Sequence, residues 1–83
     1  MSAVSDLFAA ADLRRAYQMF AAYTCRDAEA LGVVWREAAA ASATLDTAAA
    51  LIAVAFDLAP ELRDRLGEMQ AAAEFYRRQE VEP

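Results

Sequence analysis

The side chains in this 83-residue chain that are able to do chemistry are carboxylates, three tyrosines and one thiol. There is no histidine, and Cys25 is the only cysteine. Nucleophile–base–orienter arrangements therefore lack their usual base. Zinc and haem lose their customary donors, and the Glu-x-x-His pairs of di-iron bundles cannot occur. With two glycines in the whole chain, a backbone cradle for phosphate is implausible, and no phosphate loop, dinucleotide fingerprint or Ca²⁺ loop is present. The expectation is a chain with no catalytic residue, no cofactor and no metal.

Four features remain to be weighed. Counted along one continuous helix, Asp27 falls inside the apolar stripe beside Thr24. An isolated buried carboxylate is costly, so Asp27 is expected to reach solvent, or to pair with Arg63 or Arg77 across a helical hairpin. The functional alternative is a polar contact that sets register or receives a partner's arginine. The second feature is the row Asp57, Glu61, Asp64 and Glu68, spaced 4, 3 and 4 on one helix face. Such a row is usually a solvated face, and otherwise a cradle for a basic partner segment or a weak cation site. The third, Tyr17, Phe20, Tyr23 and Trp35, recurs at helical spacing and reads as core packing, with partner anchoring as the alternative. The fourth, Cys25, sits on the polar side next to Arg26 and reads as an inert surface thiol, with a regulatory thiol as the alternative.

The elements that position these residues are helices. Alanine supplies nearly half of the apolar residues, and only two Gly and two Pro interrupt the chain. Alanine is the strongest helix former, and strand-like alternation is absent. The fold class is all-α, as a long antiparallel helical hairpin or a three-helix bundle, with the second half kinked or broken at Pro60. One domain is expected, with helices near Ser5–Ala41, Thr44–Leu58 and Pro60–Gln79. Ser5 and Asp6 are the candidate caps of the first helix, and Asp12 offers a second start. From Leu13 to Ala38 the apolar stripe keeps its phase through Gly32, so Gly32 is read as internal to one long helix. In that reading Arg15 and Ala22 face away from the stripe. Ser42 or Thr44 can cap the next helix.

The stretch Thr44–Phe56 is apolar around most of its circumference and has one charge, Asp46. It presents two faces: Leu45, Ala49, Ile52 and Phe56 on one, and Leu51, Val54, Ala55 and Leu58 on the other. A helix with two apolar faces needs cover on both. The first helix can cover one. The other calls for a second chain, or for Leu7 and Phe8, which are out of phase with their own helix. Beyond Pro60 one stripe continues through Leu62, Leu66, Met69, Ala73 and Tyr76, flanked by the i,i+4 pairs Glu61–Arg65 and Glu74–Arg78.

Charge narrows the function classes. The net charge is −5, and the basic residues cluster only at Arg14–Arg15 and Arg77–Arg78. Nucleic-acid binding needs a broader basic footprint, so no nucleic-acid partner is expected. The least polar window, Ala38–Phe56, contains Ser42, Thr44, Asp46 and Thr47, and a central Asp opposes insertion by roughly 2.5–3.5 kcal/mol. No membrane span is expected, and without a basic-then-apolar leader pattern the expected location is cytoplasmic. A small alanine-rich core leaves a thin margin against chain entropy, which favours oligomers. The expectation is a non-enzymatic helical interaction module with a protein partner or homo-oligomeric state, contacting through Leu45, Ala49, Ile52, Phe56, Leu7 and Phe8. The alternatives are a small helical enzyme or enzyme subunit with a carboxylate/tyrosine site, and an acidic mimic that occupies a basic protein surface.

Overall fold

A computed structural model of the chain describes residues 7–81. The described residues form four α-helices, one 3-10 segment and no strand. They are α1 (Ala10–Thr24), α2 (Ala28–Ala40), α3 (Thr44–Leu58), the 3-10 segment Pro60–Arg65, and α4 (Leu66–Val81). The expected caps Ser5 and Asp6 lie outside the described residues.

The single helix expected over Ser5–Ala41 is two helices. α1 ends at Thr24, and its last carbonyls are closed by a Schellman-type turn. The Asp27 N–H reaches back to the Ala22 carbonyl at 2.9 Å and the Arg26 N–H to the Tyr23 carbonyl at 3.0 Å. Arg26 takes the left-handed position at φ 55°. Glycine usually marks that position, so a chain with arginine there shows no break by composition. The stripe stays in phase across the break, which is why periodicity also conceals it. Gly32 is internal to α2, as the pattern indicates.

The second turn repeats the first. The Ala43 N–H donates to the Ala38 carbonyl at 2.8 Å and the Ser42 N–H to the Ala39 carbonyl at 3.0 Å, with Ser42 also at φ 55°. Neither Ser42 nor Thr44 caps α3: the N-cap is Ala43, which makes no side-chain cap bond. Ser42 is instead consumed in ending α2.

α1 packs on both α2 and α3, but the buried side of α1 is rotated from the expected stripe. It consists of Asp12, Arg15, Ala16, Met19 and Ala22. Ala16, Ala50 and Val54 form the cluster at the centre, with Phe8, Leu13, Phe20 and Leu51 packed against it. Tyr17, Tyr23 and Trp35 are exposed, so the aromatic set does not form the core; only Phe20 touches it. The reason is steric. Alanines at the α1–α3 contact bring the helices close together, and large rings are displaced to the rim.

Ala59 is the one non-helical residue between α3 and the 3-10 segment, at φ −136° and ψ 77°. The residue before a proline avoids the helical region, so the second half of the chain is broken at Pro60. Six residues of 3-10 geometry follow before α4 begins. α4 packs on the 3-10 segment and makes no comparable contact with the other helices. The radius of gyration is 14.8 Å, against about 12 Å for a compact chain of this length. No helix of the described residues is long and apolar enough to cross a membrane.

Candidate interaction faces and a buried ion-pair network

Three polar residues lie in the described core. Asp12 is 7% exposed, Arg15 5% and Thr47 0%. The Arg15 guanidinium holds them together. Its Nη2 donates to Asp12 Oδ1 at 2.8 Å and its Nε to Thr47 Oγ1 at 3.0 Å. Thr47 Oγ1 in turn donates to the same Asp12 oxygen at 3.1 Å. The remaining terminal nitrogen, Nη1, donates to Glu37 Oε2 at 3.2 Å, where Arg14 Nη2 also donates at 2.7 Å. One side chain of α1 is thereby bonded to α1, α2 and α3. Among the described residues no buried side-chain nitrogen or oxygen lacks a partner.

The electrostatics follow from this geometry. Arg14 and then Arg15 hold the Glu37 carboxyl below its ordinary value, against a smaller opposing effect of desolvation. Asp12 and then Glu37 raise the Arg15 guanidinium above its ordinary value. Arginine is charged throughout the working range in any case, so Arg15 brings a fixed positive charge to the network. By periodicity alone Arg15 falls on the solvent side, and Asp12 reads only as a possible cap. The available signal was the i,i+3 spacing of Asp12 and Arg15, with a threonine set in the otherwise apolar α3.

Asp27, in the stripe of an unbroken helix and expected to reach solvent or to pair with Arg63 or Arg77, is exposed. It is the N-cap of α2, where its Oδ1 accepts from the Ala30 N–H at 3.0 Å. With Tyr23, Thr24, Arg26, Ala28 and Leu31 it lines a shallow depression of about 640 Å³. The Thr24 hydroxyl there is already bonded to the Phe20 carbonyl at 2.8 Å.

The acidic row does not persist as a row. The irregular Ala59 and the tighter 3-10 geometry, near 120° per residue, redirect Glu61 and Asp64 relative to Asp57 and Glu68. Tyr17 Oη donates to Asp57 Oδ2 at 3.5 Å, while Glu68 accepts from Arg65 Nη2 at 2.6 Å. The same change of pitch explains why Arg65 pairs with Glu68 and not with Glu61. Glu74 holds Arg77 and Arg78, the latter at 3.5 Å. Among the described residues no group of three or more His, Cys, Asp or Glu is placed to hold a metal ion. Cys25 is free and exposed in the α1–α2 turn.

The two faces of α3 have different fates. Thr47, Ala50 and Val54 are buried against the other helices. On the opposite side Leu45 is 81% exposed and Ile52 62%, with Ala49 exposed between them. Phe56 is half-buried, with the Arg63 guanidinium carbon 5.9 Å from its ring centroid. Phe8 does not cover this ridge. It is half-buried against the Ala16–Ala50–Val54 cluster, on the side of α3 already covered, while Leu7 stays exposed. On α4, Leu66, Met69, Phe75 and Tyr76 are also exposed.

Compared with protein families, curated proteins and solved structures, the chain matches none.

Proposed function

We propose that this protein is a non-enzymatic helical interaction module, a small adaptor, assembly chaperone or accessory subunit, that self-associates or packs on a partner protein through the outward face of α3. One observation carries the reading: Leu45 and Ile52, aligned along a single helix, are both more than half exposed. An aliphatic ridge in water forgoes about 25 cal/mol per Å² of apolar surface, and contiguous ridges of this kind mark contact sites. Charge supports a protein partner over a nucleic acid. Arg14 and Arg15 are neutralised by Asp12 and Glu37, and Glu74 binds both Arg77 and Arg78 and leaves them one net positive charge, far short of the basic footprint a nucleic acid needs.

The test is a photo-crosslinking residue placed at position 52, with the same group at position 29 as control. Efficient cross-linking at 52 to a second copy or to a discrete protein, absent at 29 and abolished by Leu45→Asp, is the expected result. Equal and diffuse labelling from both positions would overturn the reading.

A further inference from the structure

The chain exposes two apolar ridges that do not meet. One is Leu45, Ala49 and Ile52 on α3, ending at the half-buried Phe56. The other is Leu66, Met69, Ala73 and Tyr76 on α4. At 1.5 Å per residue they run about 16 and about 15 Å, so each matches the other in length. α4 spans sixteen residues. Most helical stability in proteins comes from packing an apolar face, and the apolar side of α4 is exposed along its length. α4 therefore needs cover, and the α3 ridge needs cover.

The elbow keeps the two apart within one chain. The 3-10 segment packs on α3, and Arg63 sits over Phe56, at the very end of the α3 ridge. Folding α4 back onto its own α3 would dismantle both contacts. Resting on the reading of the α3 ridge as an interaction face, the geometry points to a reciprocal exchange: α4 of one copy lies along the α3 ridge of a second copy, and the second copy's α4 lies along the first.

Area and charge agree with a second copy. The accessible surface is 6320 Å², roughly 1,500 Å² more than a compact chain of this mass exposes. A stable dimer needs about 800 Å² from each partner, so the surplus suffices. A two-fold exchange buries both ridges on both copies and closes the assembly at two chains. In the antiparallel arrangement Arg77, at the rim of the α4 ridge and sharing Glu74 with Arg78, approaches Asp46 in the first turn of the opposing α3. Arg65 approaches that helix's C-terminal turn, whose carbonyl ends favour a cation. Ala48, Ala53 and Ala55 flank the ridge and let the helices come close.

Light scattering with circular dichroism tests the exchange on the full chain, across the micromolar range. The parent is expected at twice the chain mass. Ile52→Asp and Met69→Asp each alter a residue exposed in the single chain and are each expected at the single-chain mass, with part of the α4 helical signal lost. Met69→Gln, which keeps helix propensity, is expected to weaken the dimer at least tenfold and so separates lost packing from lost helix. The deciding sample is an equimolar mixture of Ile52→Asp and Met69→Asp. A reciprocal exchange leaves one intact α4–α3 contact in the mixed pair, so the mixture is expected to recover a two-chain species. A mixture that stays monomeric overturns the exchange, as does a parent that is monomeric throughout. A Met69→Asp variant that remains dimeric while Ile52→Asp does not also overturns it, but leaves the α3 interaction face standing. An Ile52→Asp variant that keeps the parent's dimeric mass overturns both.

Discussion

Arg15 gives its three donor nitrogens to three helices: Nη2 to Asp12 on α1, Nε to Thr47 on α3, and Nη1 to Glu37 on α2. Buried ion pairs gain little over an apolar core of the same shape, but breaking one partner is expensive because the other charge stays behind. Asp12→Ala is therefore expected to cost about 3 kcal/mol in chemical denaturation. Thr47→Val, nearly isosteric, removes one acceptor and one donor and is expected to cost about 1–3 kcal/mol. Because both act on one network, the double variant is expected to lose less than the sum; strict additivity would show that the two side chains do not share it. Glu37 gives a pH dependence. Its folded-state pKa is lowered by Arg14 and Arg15, so its contribution is present above the ordinary value of 4.5 and is lost as pH falls through the lower folded value. The parent is expected to lose melting temperature on acidification more steeply than Glu37→Gln. The difference should shrink at high salt, because Glu37 is exposed to screening. Identical pH profiles would remove Glu37 from the network's energetics.

At the scale of elements, the two interhelical turns are built alike, with a non-glycine residue at positive φ in each. The left-handed conformation costs an L-residue roughly 1–2 kcal/mol, part of which glycine recovers at the expense of greater freedom in the unfolded chain. Ser42→Gly is expected to stabilise the protein by about 0.5–1 kcal/mol, seen as a raised denaturation midpoint with unchanged slope. A lowered midpoint would mean that the turn differs from the one described. The bounds Thr44–Leu58 were legible because the residues around them speak locally: polar residues before, Pro60 after. The break at Cys25–Asp27 was not, because its only local mark is a hydrogen-bonding pattern that arginine can adopt and that composition does not encode. The cap role of Asp27 was hidden for the same reason. On an unbroken helix it falls in the stripe, whereas at a helix start it is a cap. Gly67 lies in the first turn of α4, where an added methyl group would meet nothing within 4 Å. Gly67→Ala is therefore expected to raise α4 helicity, read by circular dichroism, by up to about 1 kcal/mol in propensity.

For the molecule as a whole, one consequence of an apolar contact is that salt should not dissolve it. Raising ionic strength screens exposed charges within about 10 Å at 0.1 M and leaves hydrophobic burial intact. The oligomer proposed above is expected to keep its mass between low and high salt by light scattering, and a dimer that falls apart with added salt would point to the charged rim as the contact. Ile52 belongs to this scale as well. Its 62% exposure within one chain means that Ile52→Asp is expected to change association while moving the stability of α1–α3 by less than about 1 kcal/mol, the usual range for surface substitutions. Global unfolding of that variant under conditions where the parent is monomeric would show that the ridge is covered within the chain.

Local preferences along the chain were enough to determine the all-helical class, an interruption at Pro60 that could be a kink or a break, the placement of Gly32 inside a helix, and the existence of two apolar faces on Thr44–Leu58. Each is written in neighbouring residues: alanine content, a ring that fixes φ, a stripe that repeats every turn. Only the tertiary structure decided which side of α1 is buried, which face of α3 is covered, and where Phe8 goes. Those choices depend on how closely alanine-lined helices approach. They also depend on whether an arginine can find three acceptors contributed by residues up to 32 positions away. A rotation of α1 by part of a turn exchanges an aromatic core for a buried ion pair with the rings at the rim, and no single residue's propensity distinguishes the two. The packing that satisfies Arg15 does.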